Sequence, residues 1–249
     1  MSSGIRDYVV RASDYAFSNL PLHAPAGWLT FRMANAGEET HMLSIASVPG
    51  GYMTSTFIDS LVHARLPLHT KFWAGVDVVS PGDTGVVSVF LPAGRYVAMC
   101  FVQSADGMRH IQRGMVGQFD VVAVSDTGTT DFVDGVVTLS RKRIRLSGPP
   151  LKRGIRTLRV ASSNANPQDF QLLKLRPGRS ASDALKWFTH RNIVAPAAEA
   201  LGGVSSIYAG QRATMTVNFT PGEYLLVFQL DGTDAHPAFA QLPLTIRGK

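Results

Sequence analysis

Apolar and polar residues alternate with a period of two along several short stretches of this chain. Val87, Val89 and Leu91 interleave with Val86, Ser88 and Phe90, and Met215, Val217 and Phe219 sit in a similar alternation. Successive side chains of a β-strand point to opposite faces, so this pattern predicts strands rather than helices. The stretches are punctuated by "SPGD", "PAG", "YAGQ" and "TPGE", all turn-forming combinations. Two segments break the pattern and predict helical crossovers, "STFIDSLVHARL" at 55–66 and "SASDALKWFTHR" at 180–191. The second opens on Ser180 with Asp183 three residues later, a capping arrangement. The pattern predicts an all-β protein built from antiparallel sandwiches.

The chain also resembles itself. "GWLTFRMA" at 27–34 returns as "GIRTLRVA" at 154–161, with four of eight residues identical. "DYVVRAS" at 7–13 corresponds to "DGVVTLS" at 134–140, and "HMLSIASVPG" at 41–50 to "DFQLLKLRPG" at 169–178. "VSPGDTGVVSVFLPAGRYVAMCF" at 79–101 parallels "IYAGQRATMTVNFTPGEYLLVFQ" at 207–229, and the offset is 127 or 128 throughout. A constant offset is the mark of a duplicated unit. The expected domains are therefore 1–126 and 127–249, with the boundary in the polar stretch "SDTGTTDFV" at 125–133.

Composition narrows the classes. With 45% hydrophobic and 17% charged residues, 249 residues can bury a substantial core. One cysteine excludes an internal disulfide framework and any multi-cysteine zinc or iron–sulfur site. No run of 18 apolar residues occurs, so no transmembrane segment is expected. "MSSGIRDYVV" is too polar for a signal peptide. The setting is periplasmic or otherwise extracytoplasmic if a leader has been removed ahead of Met1, and cytoplasmic if not.

The net charge is +6, and its densest basic run is "RKRIRLSGPPLKRGIRTLR" at 141–159. The basic residues alternate with Ile144, Leu146, Ile155 and Leu158, the pattern of half-buried strands with a basic outer face. No recognition helix or stacking-aromatic motif accompanies them, so nucleic acid is not an expected partner. The G-x-S-x-G, P-loop, G-x-G-x-x-G and H-E-x-x-H motifs are absent.

The candidate chemistry lies around the single thiol. In "AMCFVQSADGMRHIQRGMVGQFDVV" at 98–122, Cys100 is followed by His110 and Met115. Singly, these residues read as a buried thiol, a surface imidazole and a core thioether. Together with a second histidine they form the His₂Cys set with a weak axial methionine that binds copper in blue-copper centres. His41, which follows the turn "NAGEET", is the natural fourth member, because ends of neighbouring strands meet at one pole of a sandwich.

These residues carry a resemblance to the cupredoxin family: an early histidine, a "GRYVAMC" strand, and C…H-x4-M before a final strand. Nine residues separate Cys100 from His110, more than in plastocyanin-like members. The loop is closer to the longer one of copper nitrite reductases, with "HIQRGMVG" matching H-x3-G-M-x-G. The resemblance implies two tandem Greek-key β-sandwich domains, each with a short helical crossover. It also implies one type-1 copper, cycling between Cu(I) and Cu(II), held by His41, Cys100, His110 and Met115. Met99 and Phe101 flank the cysteine, where multicopper oxidases and nitrite reductases carry a histidine, and paired H-x-H motifs are absent. In the second half Asp169 replaces His41, Phe228 replaces Cys100, and Ala240 or Gln241 falls near the place of Met115, with His236 matching His110. That half is expected to be metal-free.

The leading expectation is a mononuclear type-1 copper protein for single-electron transfer, whose basic surface steers an acidic redox partner. Met108 and Gly114 would shape its metal loop. The alternative is a metal-free binding module on the same fold. A third possibility is a copper-dependent oxidoreductase, with His63, His69 and Asp59 as its first acid–base candidates, although no complete catalytic constellation is visible. His23 and His190 have no partner pattern.

Overall fold

The alternating stretches around Val87 and Val217 become strands whose apolar parity faces inward. A computed structural model describes residues 6–125, 127, 132–190, 194–230 and 238–248. The first half contributes β1 (Arg6–Ser13), β2 (Ala16–Ser18), β3 (His23–Pro25), β4 (Gly27–Asn35), β5 (His41–Ser47), β6 (Lys71–Val79), β7 (Thr84–Leu91), β8 (Gly94–Met99) and β9 (Val116–Val122). The second contributes β10 (Gly135–Ser140), β11 (Arg143–Ser147), β12 (Gly154–Ser162), β13 (Gln168–Leu175), β14 (Ala198–Ile207), β15 (Ala213–Phe219), β16 (Gly222–Gln229) and β17 (Phe239–Ile246). Helices α1 (Thr54–Val62) and α2 (Ala181–Thr189) fall within the two predicted crossovers. Ser180 caps α2: its Oγ accepts the Asp183 amide at 3.1 Å, and Asp183 Oδ2 accepts the Ser180 amide at 2.9 Å.

The strands form two facing sheets, ordered β11-β10-β12-β15-β7-β4-β1-β2 and β17-β16-β13-β14-β6-β5-β8-β9-β3. This is an all-β two-sheet sandwich. Both sheets run without interruption from one half of the chain into the other. β15 pairs antiparallel with β7, with Met215 opposite Val87, and β14 pairs antiparallel with β6, with Val204 opposite Val76. On either side of these seams the strand orders mirror each other, and β1–β4 and β10–β12 are both parallel pairs. The segments alike in sequence occupy matching places: β4 with β12, β5 with β13, and β8 with β16. Tyr96 Oη donates to Pro92 O and Tyr224 Oη to Thr220 O, each at 2.8 Å, so both corners are tied in the same way.

Where the seams cross, two glycines let the backbones approach. Gly202 has φ +84°, and a Cβ there would lie 3.1 Å from the Cα of Gly85 in the other half. Any larger residue at 202 would meet both a strained backbone and that contact.

The core fills the space between the sheets. Leu29, Phe31 and Met33 of β4 and Val87, Val89 and Leu91 of β7 are all buried, as the period-two pattern requires. Phe31 meets Phe119 at 5.9 Å between ring centroids, and Tyr96 stacks on Phe119 at 5.5 Å. Each such buried side chain contributes about 1.5–3 kcal/mol through removal from water. A smaller cluster pins α1 to the first half through Phe57, Leu61, Met99 and Ile111.

The basic run bears out in part. Arg143 and Arg145 of β11 are exposed, with Ile144 and Leu146 partly covered between them. Ile155, expected to point inward, is 69% exposed, whereas Leu158 is 1% exposed. The two differ in parity, so one strand cannot bury both, and Leu158 takes the core face together with Val160. Among the described residues, no helix is long and apolar enough to cross a membrane.

Candidate metal centre

Nine residues must fold back if Cys100 and His110 are to meet, and a small hairpin achieves this. Ser104 and Met108 close it through the Ser104 carbonyl to the Gly107 amide and the Met108 carbonyl to the Ser104 amide, each at 2.9 Å. Asp106 supports the turn, accepting the Met108 amide at 3.1 Å and pairing with Arg113. The returning chain then docks on the outgoing one: His110 N–H donates to Val102 O and Ile111 N–H to Cys100 O, both at 2.9 Å. A single 3₁₀ turn, His110–Arg113, follows and ends on Gly114 at φ 96°, in the left-handed region that glycine favours. Met115 N–H donates to His110 O at 3.0 Å, and Cys100 N–H to Met115 O at 3.2 Å. The backbones of Cys100, His110 and Met115 are thus directly linked. Ile111 of this turn lies in the α1 cluster, which holds it from outside.

His41 arrives from the other side, as the first residue of β5. The turn before it is organised by buried Asn35, whose Nδ2 donates to Glu39 O at 2.8 Å and Val79 O at 2.9 Å. Pairing of β5 with β6 is irregular between His41, Leu43 and Ile45. Such a bulge re-aims side chains, and here both His41 and the Met42 amide reach the thiol region: Met42 N–H points to Cys100 Sγ at 3.4 Å.

His41, Cys100 and His110 come together at one pole, and each is 0% exposed, as is Met115. One donor atom from each of the first three lies within 4.8 Å of the others, the one such grouping among the described residues. His41 Nδ1 is 3.0 Å from His110 Nδ1, and Cys100 Sγ is 3.4 Å from His110 Nδ1. The other ring nitrogens face carboxylates: His41 Nε2 lies 2.6 Å from Asp14 Oδ1, and His110 Nε2 lies 2.7 Å from Glu39 Oε2. Met115 is buried in the main core beside them.

The protonation of this group is constrained. A carboxylate only accepts, so each Nε2 must be the donor to its acid. Burial pushes both imidazoles toward the neutral form, and their mutual proximity adds to this at His41, against the opposing pull of Asp14 and Glu39. Neutral rings with hydrogen on Nε2 have lone pairs on Nδ1. Two such lone pairs 3.0 Å apart in a buried site repel unless a proton or a metal cation lies between them. Imidazole nitrogen bonds a first-row metal at about 2.0–2.1 Å and thiolate sulfur at about 2.3 Å, so these spacings suit one ion shared by the three residues. Asp14 is itself held: partial burial raises its carboxyl, but the Glu38 and Glu39 amides and His41 outweigh that and bring it below its usual range.

The carboxylates were not expected from the sequence. Asp14 sits in the β1–β2 turn and Glu39 two residues before His41, and neither spacing signals a shared site. Tyr15, next to Asp14, packs its ring against His110 at 5.0 Å, and Arg113 lies 4.8 Å over the Tyr15 ring.

The other predicted positions lie elsewhere. His63 caps the end of α1 through Asp59 O at 2.9 Å, and both side chains are exposed, as is that of His69. Met108 is 42% exposed. In the second half, Asp169 accepts the Ser206 amide at 2.7 Å, and Phe228 is core. Ala240 and Gln241 lie on β17. His236 lies outside the described residues.

No family model and no curated protein matches the chain. Among solved structures, it is similar to a dithionite-reduced auracyanin from Roseiflexus castenholzii, at 19% identity over 48% of this chain and 99% of that one, with a TM-score of 0.36. It is also similar to auracyanin A, a "blue" copper protein from Chloroflexus aurantiacus, at 20% identity over 49% of this chain and 100% of that one, with a TM-score of 0.33. A multicopper oxidase is similar over 99% of this chain and 91% of its own, at 13% identity and a TM-score of 0.32. In its two-sheet β-sandwich and its buried His41–Cys100–His110 cluster, the chain resembles the cupredoxin family.

Proposed function

We propose that this chain is a mononuclear type-1 copper protein that carries single electrons. The observation that supports it is the convergence of His41 Nδ1, His110 Nδ1 and Cys100 Sγ in a site closed to solvent. A soft thiolate beside two imidazoles selects copper over hard cations. Copper held there would supply a one-electron couple between its cuprous and cupric states.

The protein residues have separable roles. His41 and His110 present Nδ1 lone pairs, and Cys100 presents its sulfur as thiolate, with the Met42 amide donating to it and stabilising that charge. Met115, buried and tied by its backbone to both Cys100 and His110, would be the fourth residue to hold the ion, through its soft thioether. The hairpin, the 3₁₀ turn and α1 fix the backbone that carries these groups, so little reorganisation would accompany an electron. The basic surface, which includes Arg143 and Arg145, would steer an acidic redox partner. Copper titration of the purified chain followed by visible and paramagnetic-resonance spectroscopy tests the reading. An intense charge-transfer band is expected, and a protein that stays colourless after reconstitution contradicts it.

A further inference from the structure

We propose that Asp14 and Glu39 are positioning residues of this centre: each takes the Nε2–H of one histidine, turns that ring's Nδ1 toward the metal, and lowers the reduction potential. The inference rests on the copper reading above and deepens it. Neither acid is a ligand, since both meet the ring nitrogen remote from Cys100, at 2.6 Å for Asp14 and 2.7 Å for Glu39.

Both carboxylates are themselves anchored, and this separates them from incidental surface acids. Asp14 Oδ2 accepts the Glu38 amide at 2.8 Å, and its Oδ1, which receives His41, lies 3.4 Å from the Glu39 amide. Glu39 Oε2, which receives His110, also accepts the hydroxyl of buried Ser104 at 2.8 Å. The Tyr15 ring, set edge-on to His110, limits rotation of that imidazole. A fixed acceptor behind each ring selects one tautomer and one orientation, and such partners raise the basicity of a metal-ligating histidine. Two anionic groups one ring away also favour the more highly charged cupric state over the cuprous one, by Coulomb attraction through a site whose histidines are buried and whose acids are about a quarter exposed.

The test measures Cu(II) affinity, Cu(I) affinity and reduction potential for the full chain and for Asp14→Asn, Glu39→Gln, Ser104→Ala and the exposed control Glu223→Gln. Asp14→Asn and Glu39→Gln are expected to weaken Cu(II) binding by about 10- to 100-fold, and Cu(I) binding less. A tenfold greater loss for Cu(II) than for Cu(I) appears as a rise of about 59 mV in a one-electron potential. Ser104→Ala keeps the charge of Glu39 but loosens it, so a smaller rise in the same direction is expected, and it serves if Glu39→Gln does not fold. Glu223→Gln is expected to match the parent. Copper-binding parent protein whose variants keep its potential overturns the inference alone. Equal loss of both oxidation states, with a lower melting temperature of the metal-free variants, assigns the acids a merely structural role and also overturns it. A parent chain that takes up no copper overturns the metal reading itself, before the variants are compared.

Discussion

His41 and His110 face each other through their Nδ1 atoms at 3.0 Å, with each ring's opposite nitrogen resting on a carboxylate. That arrangement orders the site from both ends and leaves the two Nδ1 atoms facing each other beside the Cys100 sulfur. Its consequences can be measured separately.

Copper should stabilise the fold, and the effect should need both histidines. A ligand that binds only the native state adds about 2.7 kcal/mol at a free concentration one hundred times its dissociation constant. The parent protein is expected to melt several degrees higher with copper than without it. His41→Ala and His110→Ala should lose most of that increment, as differential scanning calorimetry with and without the metal would show.

The metal-free protein should lose stability in mild acid. Unfolded imidazoles titrate near 6.5, whereas burial holds those of His41 and His110 lower in the fold. His41 faces Asp14, Glu39 and His110, and His110 faces Glu39, Asp14 and Arg113, so the net direction already includes these charges. Between the folded and unfolded values the unfolded chain binds more protons. The stability is therefore complete above 6.5 and falls as the pH drops toward the folded values. Asp14 acts with the same sign in stronger acid, since its folded value lies below 3.8 and its contribution disappears as pH falls through it. Denaturant midpoints measured from pH 8 downward should fall, and in His41→Ala the decline between pH 7 and 5 should be shallower.

Gly37→Ala should damage the centre more than the fold. A Cβ at this position would fall on Asp14 Oδ1 and lie 2.6 Å from His41 Nε2, so the Asp14 carboxylate must swing away. The turn is at the surface and the displaced atoms are side-chain tips of Asp14 and His41 rather than backbone, so the fold should persist with a modestly lower melting temperature. Copper(II) affinity should nevertheless drop toward that of Asp14→Asn, which a competition titration with a chelator would read.

Ser180→Ala should do the reverse. It removes the reciprocal cap of α2 and should cost about 0.5–2 kcal/mol, as for other helix N-caps. The cap lies in the second half and its hydrogen bonds stay within Ser180 and Asp183, so the copper spectrum is expected to be unchanged while the denaturation midpoint falls.

How much of this was legible in the sequence depended on range. Faces of strands were readable at Val87, Val89 and Leu91, because parity is a local property. Partners were not: nothing in the alternation of "KFWAGVDVV" announced that β6 would pair with β14 and carry one sheet across both halves. Ile155 was misplaced because apolar character was weighed without parity. At the site, the soft residues were visible as types in order, and the comparison between the halves marked where their chemistry diverges. The folding back of the Cys100–His110 loop depends on "SADG" turn chemistry and on Asp106–Arg113, both present in the sequence but silent about where the loop docks. Asp14 and Glu39 were invisible because their roles arise only when the β1–β2 turn and the turn before β5 meet at one pole.

The most direct test of the central claim is a visible and paramagnetic-resonance spectrum of the copper-loaded chain beside that of Cys100→Ser. The account predicts a strong thiolate-to-copper band in the parent and its loss in the variant, with the metal-free fold retained. A parent spectrum without that band, or one that survives replacement of Cys100, would contradict it.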